Sequence, residues 1–306
     1  MDLESLQLFV LVAELESISK AAIRSDLGTS GVSRKLAALE AECSGPLLHR
    51  TGRGVRLTSL GERVLPMAQA LLEQAASLQH EMGAADNVCR GTVHIGCVPA
   101  LVAPVLTRVI SIARQRFPAV VVRAAEGYPN QIEQWLIDGK IDLGFLVRRT
   151  QDGAEAPLAS SRLCLVGPRE DRLASQAEVD FRALDGIPLL PPAAPSTFRA
   201  SLTDVARQLN IRLNVVAEVD SVMLMKEMAA AGIGYALLSK TAVRRELQSG
   251  ELTATPIANP AIVRSIYLGS STRKTESRAS REIAKLIREV AREMVAAGQW
   301  GDEGLT

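Results

Sequence analysis

The sequence predicts a multidomain chain with a small helical module, one long linker helix and an α/β body in two lobes. Three observations carry this reading. Between Ser17 and Arg56 two helical patterns flank a short turn, and a basic hairpin follows them. From residue 59 to about residue 83 apolar residues recur at alternating spacings of four and three. Beyond residue 90 strand patterns alternate with helical ones, as in a body wound from βα units. A length of 306 residues exceeds what one core usually holds, and 47% apolar content supports several.

In the amino-terminal module, Leu6, Phe9, Val10 and Ala13 form the apolar stripe of a first helix. The small pair Ala21-Ala22 lets a second helix pack closely. After the turn Leu27-Gly28-Thr29-Ser30, Val32, Leu36 and Leu39 sit at i, i+4 and i+7 and must face the core. At about 100° per residue the opposite face carries Ser30, Arg34 and Ala37, flanked by Ser33 and Lys35. Such a face suits a major groove, because short side chains permit close approach and donors reach phosphates or base edges.

The run from Leu47 to Thr58 places Gly52 and Gly54 at a tight turn, with Arg50, Arg53 and Arg56 on its arms. It reads as a wing, which makes the module an all-α winged helix-turn-helix domain. Arginine suits a wing because a narrow minor groove concentrates negative potential and draws the guanidinium inward. The net charge of +1 conceals this basic face: Lys20, Arg24, Arg34, Lys35 and the wing arginines outnumber Asp26, Glu40 and Glu42. A helical domain with a solvated basic loop is the plainer alternative, and the spacing of the wing argues against it.

On these residues the chain resembles the LysR-type transcriptional regulators, from Met1 to about Val295. The matching features are the opening Met-Asp-Leu, Phe9-Val10, Ala21-Ala22, Ser33-Arg34, Leu39-Glu40 and the run from Arg50 to Thr58. The DNA-binding set is then Thr29, Ser30, Ser33, Arg34, Lys35, Arg50, Arg53 and Arg56. The resemblance implies that Ser33 and Arg34 hold phosphates, that positions 29 and 30 approach bases, and that Arg53 reaches the minor groove. Thr29, Ser30 and Gly31 stand where the family usually has Gln, Pro and Ala. Thr29 offers a methyl to thymine or one hydroxyl bond rather than a bidentate amide contact to adenine, so a different operator preference is expected. Ser25 for a usual Leu and Ile23 for a usual polar residue predict a shifted packing face for the second helix.

Ser59-Leu60-Gly61-Glu62 matches a capping box at the start of the long helix. Leu60, Val64, Met67, Leu71, Leu78 and Met82 form its seam, with Gln74 in the one polar position. Pro66 predicts a kink or an unpaired carbonyl near Glu62. In similar proteins this helix pairs two chains, which sets two recognition helices on one face of the DNA. Burial against its own domain is the alternative.

In the body, strands are expected at residues 92–96, 120–124 and 141–147, with helices at 105–117 and 131–138. The run from Leu163 to Pro168 resembles the strand that opens a second lobe, and 228–238 the segment holding a strand at its floor. The chain is expected to return through 265–269 and end in a helix over 281–294. The resemblance implies a periplasmic-binding-protein-like effector domain. The expected division is a DNA-binding domain at 1–58, a linker/dimerisation helix and hinge at 59–90, lobe I at 91–162 plus 266–297, lobe II at 163–265, and a tail at 298–306.

Crevices between lobes, at the carboxyl ends of strands, favour small ligands. The effector-binding set is Val98, Pro99, Ala100, Pro129, Asn130, Ser196, Thr197 and Phe198. Two helix amino ends there suit a carboxylate or other small anion. Pro99, Ala100 and Pro129 stand where relatives commonly place hydroxyls, so a bulkier or more apolar ligand is expected. Arg148 and Arg149 are expected to be solvated.

No charged start precedes an apolar run, and no uninterrupted apolar stretch reaches about twenty residues, so the expectation is a cytoplasmic protein with no membrane partner. Cys43, Cys89, Cys97 and Cys164 lack paired spacing, which argues against disulfides and zinc; core packing is expected, with redox sensing by Cys97 and Cys164 as the alternative. His49, His80 and His94 are dispersed, and no nucleophile motif is present. No enzyme, catalytic residue, metal or cofactor is expected. The expected protein is a homotetramer, a dimer of dimers, that binds promoter DNA under control of a small-molecule effector and contacts RNA polymerase if it activates. A plain ligand receptor is the other class, and the wing argues against it.

Overall fold

The computed structural model describes residues 2–51, 54–82, 88–148, 156–174, 176–193 and 196–302. Arg53 and Arg149 lie outside them, as do the side chains of Arg50 and Thr197. The chain forms two compact units, Met1–Val88 and Cys89–Thr306.

The first unit opens with α1 (Leu3–Leu15), α2 (Ile18–Arg24) and α3 (Thr29–Glu42). Asp2 caps α1 by accepting from the Ser5 amide at 2.7 Å. Leu6, Leu8, Phe9 and Val12 of α1 are buried with Ala21, Ala22, Val32, Leu36 and Leu39. Val10 and Ala13, expected in the stripe, are only half-buried. The shifted face expected for α2 does not occur: Ala21 and Ala22 pack inward and Ile23 is 84% exposed. Ser25 follows the helix, where its hydroxyl donates to the Ala21 carbonyl at 2.8 Å.

The hairpin pairs β1 (Leu48–Thr51) with β2 (Gly54–Leu57), Thr51 opposite Gly54. It is tied down from three directions. The Glu40 carboxylate accepts from the amides of Leu47 and Leu48 at 2.8 and 3.0 Å, the Thr58 hydroxyl donates to the Pro46 carbonyl at 2.7 Å, and the Val55 amide donates to the Glu16 carbonyl at 2.9 Å. Gly54 has φ +142°, and a Cβ there would lie 2.5 Å from the Glu16 oxygen.

The long helix is α4 (Ser59–Met82), and it continues through Pro66. Its cap is Thr58, one residue before the expected Ser59: Thr58 Oγ1 accepts from the Gly61 amide at 2.9 Å and its carbonyl accepts from Glu62 at 2.8 Å. Thr58 ends the wing in a buried position, so its hydroxyl is already in place for both jobs. The expected seam divides. Leu60 and Val64 pack against the unit's own core with Ala68 and Leu72, whereas Met67, Leu71 and Leu78 are 71%, 37% and 61% exposed.

In the second unit β3 (Arg90–Cys97) leads into α5 (Pro99–Leu101), a π-helical turn (Val102–Leu106) and α6 (Thr107–Arg116). This helical run begins six residues earlier than expected. Pro104 has no amide proton for the carbonyl four residues back, and the turn containing it is widened. Next come β4 (Ala119–Glu126), α7 (Pro129–Asp138), β5 (Leu143–Arg148) and β6 (Ala159–Arg162). The chain continues through β7 (Cys164–Pro168), β8 (Val179–Asp180), β9 (Pro188–Leu189), α8 (Thr197–Leu209) and β10 (Asn214–Val215). It ends with α9 (Val222–Ala230), β11 (Ala236–Leu238), α10 (Arg244–Ser249), β12 (Leu252–Ala258), β13 (Val263–Ser270) and α11 (Arg278–Ala296). The strand expected within 228–238 is therefore three residues long, because Met228 to Ala230 belong to α9.

Two sheets define two lobes. One has the order β4-β3-β5-β13-β6, the other β11-β7-β12-β8. The strand β13 joins the first sheet from Val263, slightly before the expected boundary. Both crossings between lobes run side by side: the Leu163 amide donates to the Ile262 carbonyl and the Ile257 amide to the Leu163 carbonyl, each at 2.9 Å. Residues expected as a tail include Trp300, which is 1% exposed and packs on Phe145 with ring centroids 6.4 Å apart. Cys97 and Cys164 are buried. Burial pushes both thiols up, Cys164 to about 12.

Two outcomes follow from this packing. Thr58→Ala should lower the stability of the first unit by about 1–2 kcal/mol, while Ser59→Ala should change it by less than about 0.5 kcal/mol, read from urea unfolding followed by circular dichroism. Iodoacetamide at pH 8 should modify Cys97 and Cys164 only in denaturant, as read by mass spectrometry; labelling of either in the native protein contradicts their placement in the core.

Candidate DNA interface and ligand cavity

Burial of Val32, Leu36 and Leu39 turns the remainder of α3 outward. Thr29, Ser30, Arg34, Ala37 and Ala38 are exposed, and Ser33 and Lys35 are half-buried. Lys35 is engaged within the unit, since its ammonium pairs with Glu4 at 2.6 Å. A Lys35 so placed adds positive potential near α3 while Glu4 neutralises part of it. Along β2 the alternation buries Val55 and exposes Arg56, which stands opposite the exposed His49. Arg53 is not among the described residues, and of Arg50 only the backbone is. Lys20 and Arg24 on α2 are also exposed. The unit thus presents hydroxyls and small side chains on a helix with cations around it, which is the chemistry that phosphate and base-edge contacts require.

Between the lobes of the second unit lies a mainly apolar cavity of about 130 Å³. Val98, Pro99, Ala100, Pro129, Ser196 and Phe198, all expected at the effector site, line it. Asn130 lines a more polar adjoining recess, and the side chain of Thr197 lies outside the described residues. The two helix amino ends supply fewer donors than expected. Pro99 and Pro129 occupy first-turn positions of α5 and α7 and carry no amide proton. Ser196 caps α8, its hydroxyl accepting from the Arg199 amide at 3.4 Å.

Sequence reasoning missed several lining groups. Tyr128 reaches across the cleft, its hydroxyl donating to the Asp220 carbonyl at 2.9 Å; burial is the main cause that raises its pKa. The Asp220 carboxylate accepts from the Ala193 amide at 3.0 Å. Arg199 lines the adjoining recess, where its buried Nη1 has no hydrogen-bond partner among the described residues. Arg264 lies in the cavity wall with its Cζ 5.3 Å from the centroid of the Phe198 ring. The available signal for it was a lone charge inside the apolar run from Ile262 to Leu268.

Among the described residues no group of three or more His, Cys, Asp and Glu side chains could hold a metal ion. Among them, too, no helix is long and apolar enough to cross a membrane.

Comparison with known proteins agrees with the two-unit architecture. Residues 3–62 match the bacterial regulatory helix-turn-helix family of the LysR type, and residues 87–292 match the LysR substrate binding domain. The HTH-type transcriptional regulator BbuR of Bordetella bronchiseptica is 30% identical, over 98% of this chain and 93% of that protein. The nitrogen assimilation regulatory protein nac of Klebsiella aerogenes is 26% identical over 94% of each. Among solved structures, a full-length OxyR variant from Pseudomonas aeruginosa has the same fold, with TM-score 0.70 and 20% identity over 95% of each chain. CbnR in complex with its target DNA also shares it, with TM-score 0.67 and 18% identity over 96% of this chain and 99% of that one. With both units matched along nearly their whole length, the chain belongs to the LysR family, whose members are DNA-binding transcriptional regulators with an effector-binding domain rather than enzymes.

Proposed function

We propose that this regulator acts in the cytoplasm as a dimer of dimers on promoter DNA, and that a small molecule held between its two lobes sets how it binds. The observation that carries the DNA half is the exposed face of α3, where Thr29 and Ser30 stand at the amino end and Arg34 one turn on. In this reading Ser33 and Arg34 hold phosphates, Thr29 and Ser30 meet base edges, and Arg50, Arg53 and Arg56 follow the neighbouring minor groove. Lys35, tied to Glu4, contributes potential more than a direct contact.

Pairing through α4 is supported by the exposed Met67, Leu71 and Leu78, a stripe that a second copy would cover. The functional division keeps the expected DNA-binding domain and linker, with lobe I beginning its return at β13 from Val263 and taking in Trp300 from the expected tail. The effector set is Val98, Pro99, Ala100, Pro129, Asn130, Ser196, Thr197 and Phe198, supported by the cavity that most of them line. A ligand there shifts the lobes only to the extent that it binds one arrangement better than another. Altered spacing between dimers would then change DNA bending and, in an activator, contact with RNA polymerase.

Arg34→Ala should weaken binding to operator and random DNA alike and reduce the slope of log affinity against log salt by about one, measured by fluorescence anisotropy. Loss of specific binding with the slope unchanged would overturn the phosphate assignment. Thr29→Gln should change the bases selected from a randomised operator library; an unaltered selection profile removes Thr29 from base readout.

A further inference from the structure

The cavity between the lobes combines an apolar wall with one deeply set cation. Val98, Leu163, Val222, Met225, Leu237 and Trp300 are among the apolar residues of the wall. Arg264, at the start of β13 beside the lobe crossing, is surrounded by protein on nearly every side yet keeps part of its surface open to the cavity. Among the described residues no carboxylate, carbonyl or hydroxyl pairs with its guanidinium. The Phe198 ring is its one described electrostatic partner. Loss of hydration lowers its pKa to about 10, which leaves it charged at neutral pH.

A cation withdrawn from water without a counter-charge destabilises the fold, and one aromatic face offsets only part of that. The imbalance disappears if a ligand brings the missing charge. Resting on the reading of this cleft as the effector site, we propose that Arg264 anchors the carboxylate of a small organic acid whose hydrocarbon body fills the apolar end of the cavity. A guanidinium fork matches a carboxylate with two parallel hydrogen bonds. The apolar end is small: a dry cavity of about 150 Å³ accepts benzene, so about 130 Å³ holds roughly one ring or a short branched chain, while the adjoining recess of about 650 Å³ leaves room for any longer polar part. An inorganic anion would leave the wall unfilled, and a neutral hydrocarbon would leave Arg264 unpaired.

The test uses the full-length protein and three acids, benzoate, cyclohexanecarboxylate and 4-methylpentanoate, each beside its primary amide in calorimetric titrations at pH 7.5. At least one acid should bind tenfold or more tightly than its amide. Arg264→Met should erase that preference while leaving the amide's affinity in place, and Arg264→Lys should retain part of it. Without any ligand, Arg264→Met should raise the thermal midpoint by about 2–4 °C, because the unpaired charge is gone. Acids no tighter than their amides, a preference that survives Arg264→Met, or a lower midpoint in that variant each overturns the proposal. Val222→Phe, which narrows the cavity, separates the two layers of the argument. If it excludes acids and amides that bind equally well, the cleft reading stands and the role of Arg264 falls; if binding is indifferent to it, the cleft reading falls as well.

Discussion

What the first unit offers to solvent depends on the burial of Val32, Leu36 and Leu39 beneath α3. Burying aliphatic side chains of this size stabilises by about 1.5–3 kcal/mol each, more than any exposed polar contact on the opposite face can return. The core therefore dictates the rotation of the helix, and the outward residues inherit their direction from it. A slip of one position would turn the helix by about 100° and carry the charge of Arg34 toward the interior. Binding chemistry at this surface is thus a by-product of packing on the other side.

The second unit is organised by a comparable constraint at its crossings. Leu163, on one crossing, is hydrogen-bonded to both ends of the other, at Ile257 and Ile262, so the two lobes meet at a short double connection. Whatever opens the cleft must work about that point, and Arg264 lies two residues from it. Tyr128 and Asp220 make the opposing contact across the mouth. The cavity is consequently bounded by a covalent edge on one side and, on another, by the bond from the Tyr128 hydroxyl to the Asp220 carbonyl.

Much of this was legible in the amino-acid sequence because periodicity is a direct imprint of burial. The 32, 36, 39 spacing gave the orientation of α3, and the βα alternation gave the two-lobed body. The failures have local causes. Thr58 replaced Ser59 as the cap because a tertiary bond to Pro46 had already fixed its hydroxyl, a fact no local motif encodes. The early helical run over Pro99 was hidden by Pro104, which sequence rules treat as a barrier and the fold absorbs in a wide turn. Arg264 has no local motif that marks it for the cleft, because strand β13 brings its charge there from distant sequence. Trp300 looked like part of a tail only because its partner Phe145 is far away in the chain.

The bond from the Val55 amide to the Glu16 carbonyl carries a further implication for the hairpin. Glu16 sits in a left-handed corner, φ 49°, immediately after α1, and Gly54 abuts its oxygen with no room for a side chain. The tilt of the arginine-bearing strands is therefore borrowed from a bend some forty residues upstream. A graft exchanging residues 47–58 between members of the family would transplant the cations without their aim. To transfer both, the corner at residue 16 would have to travel with the loop.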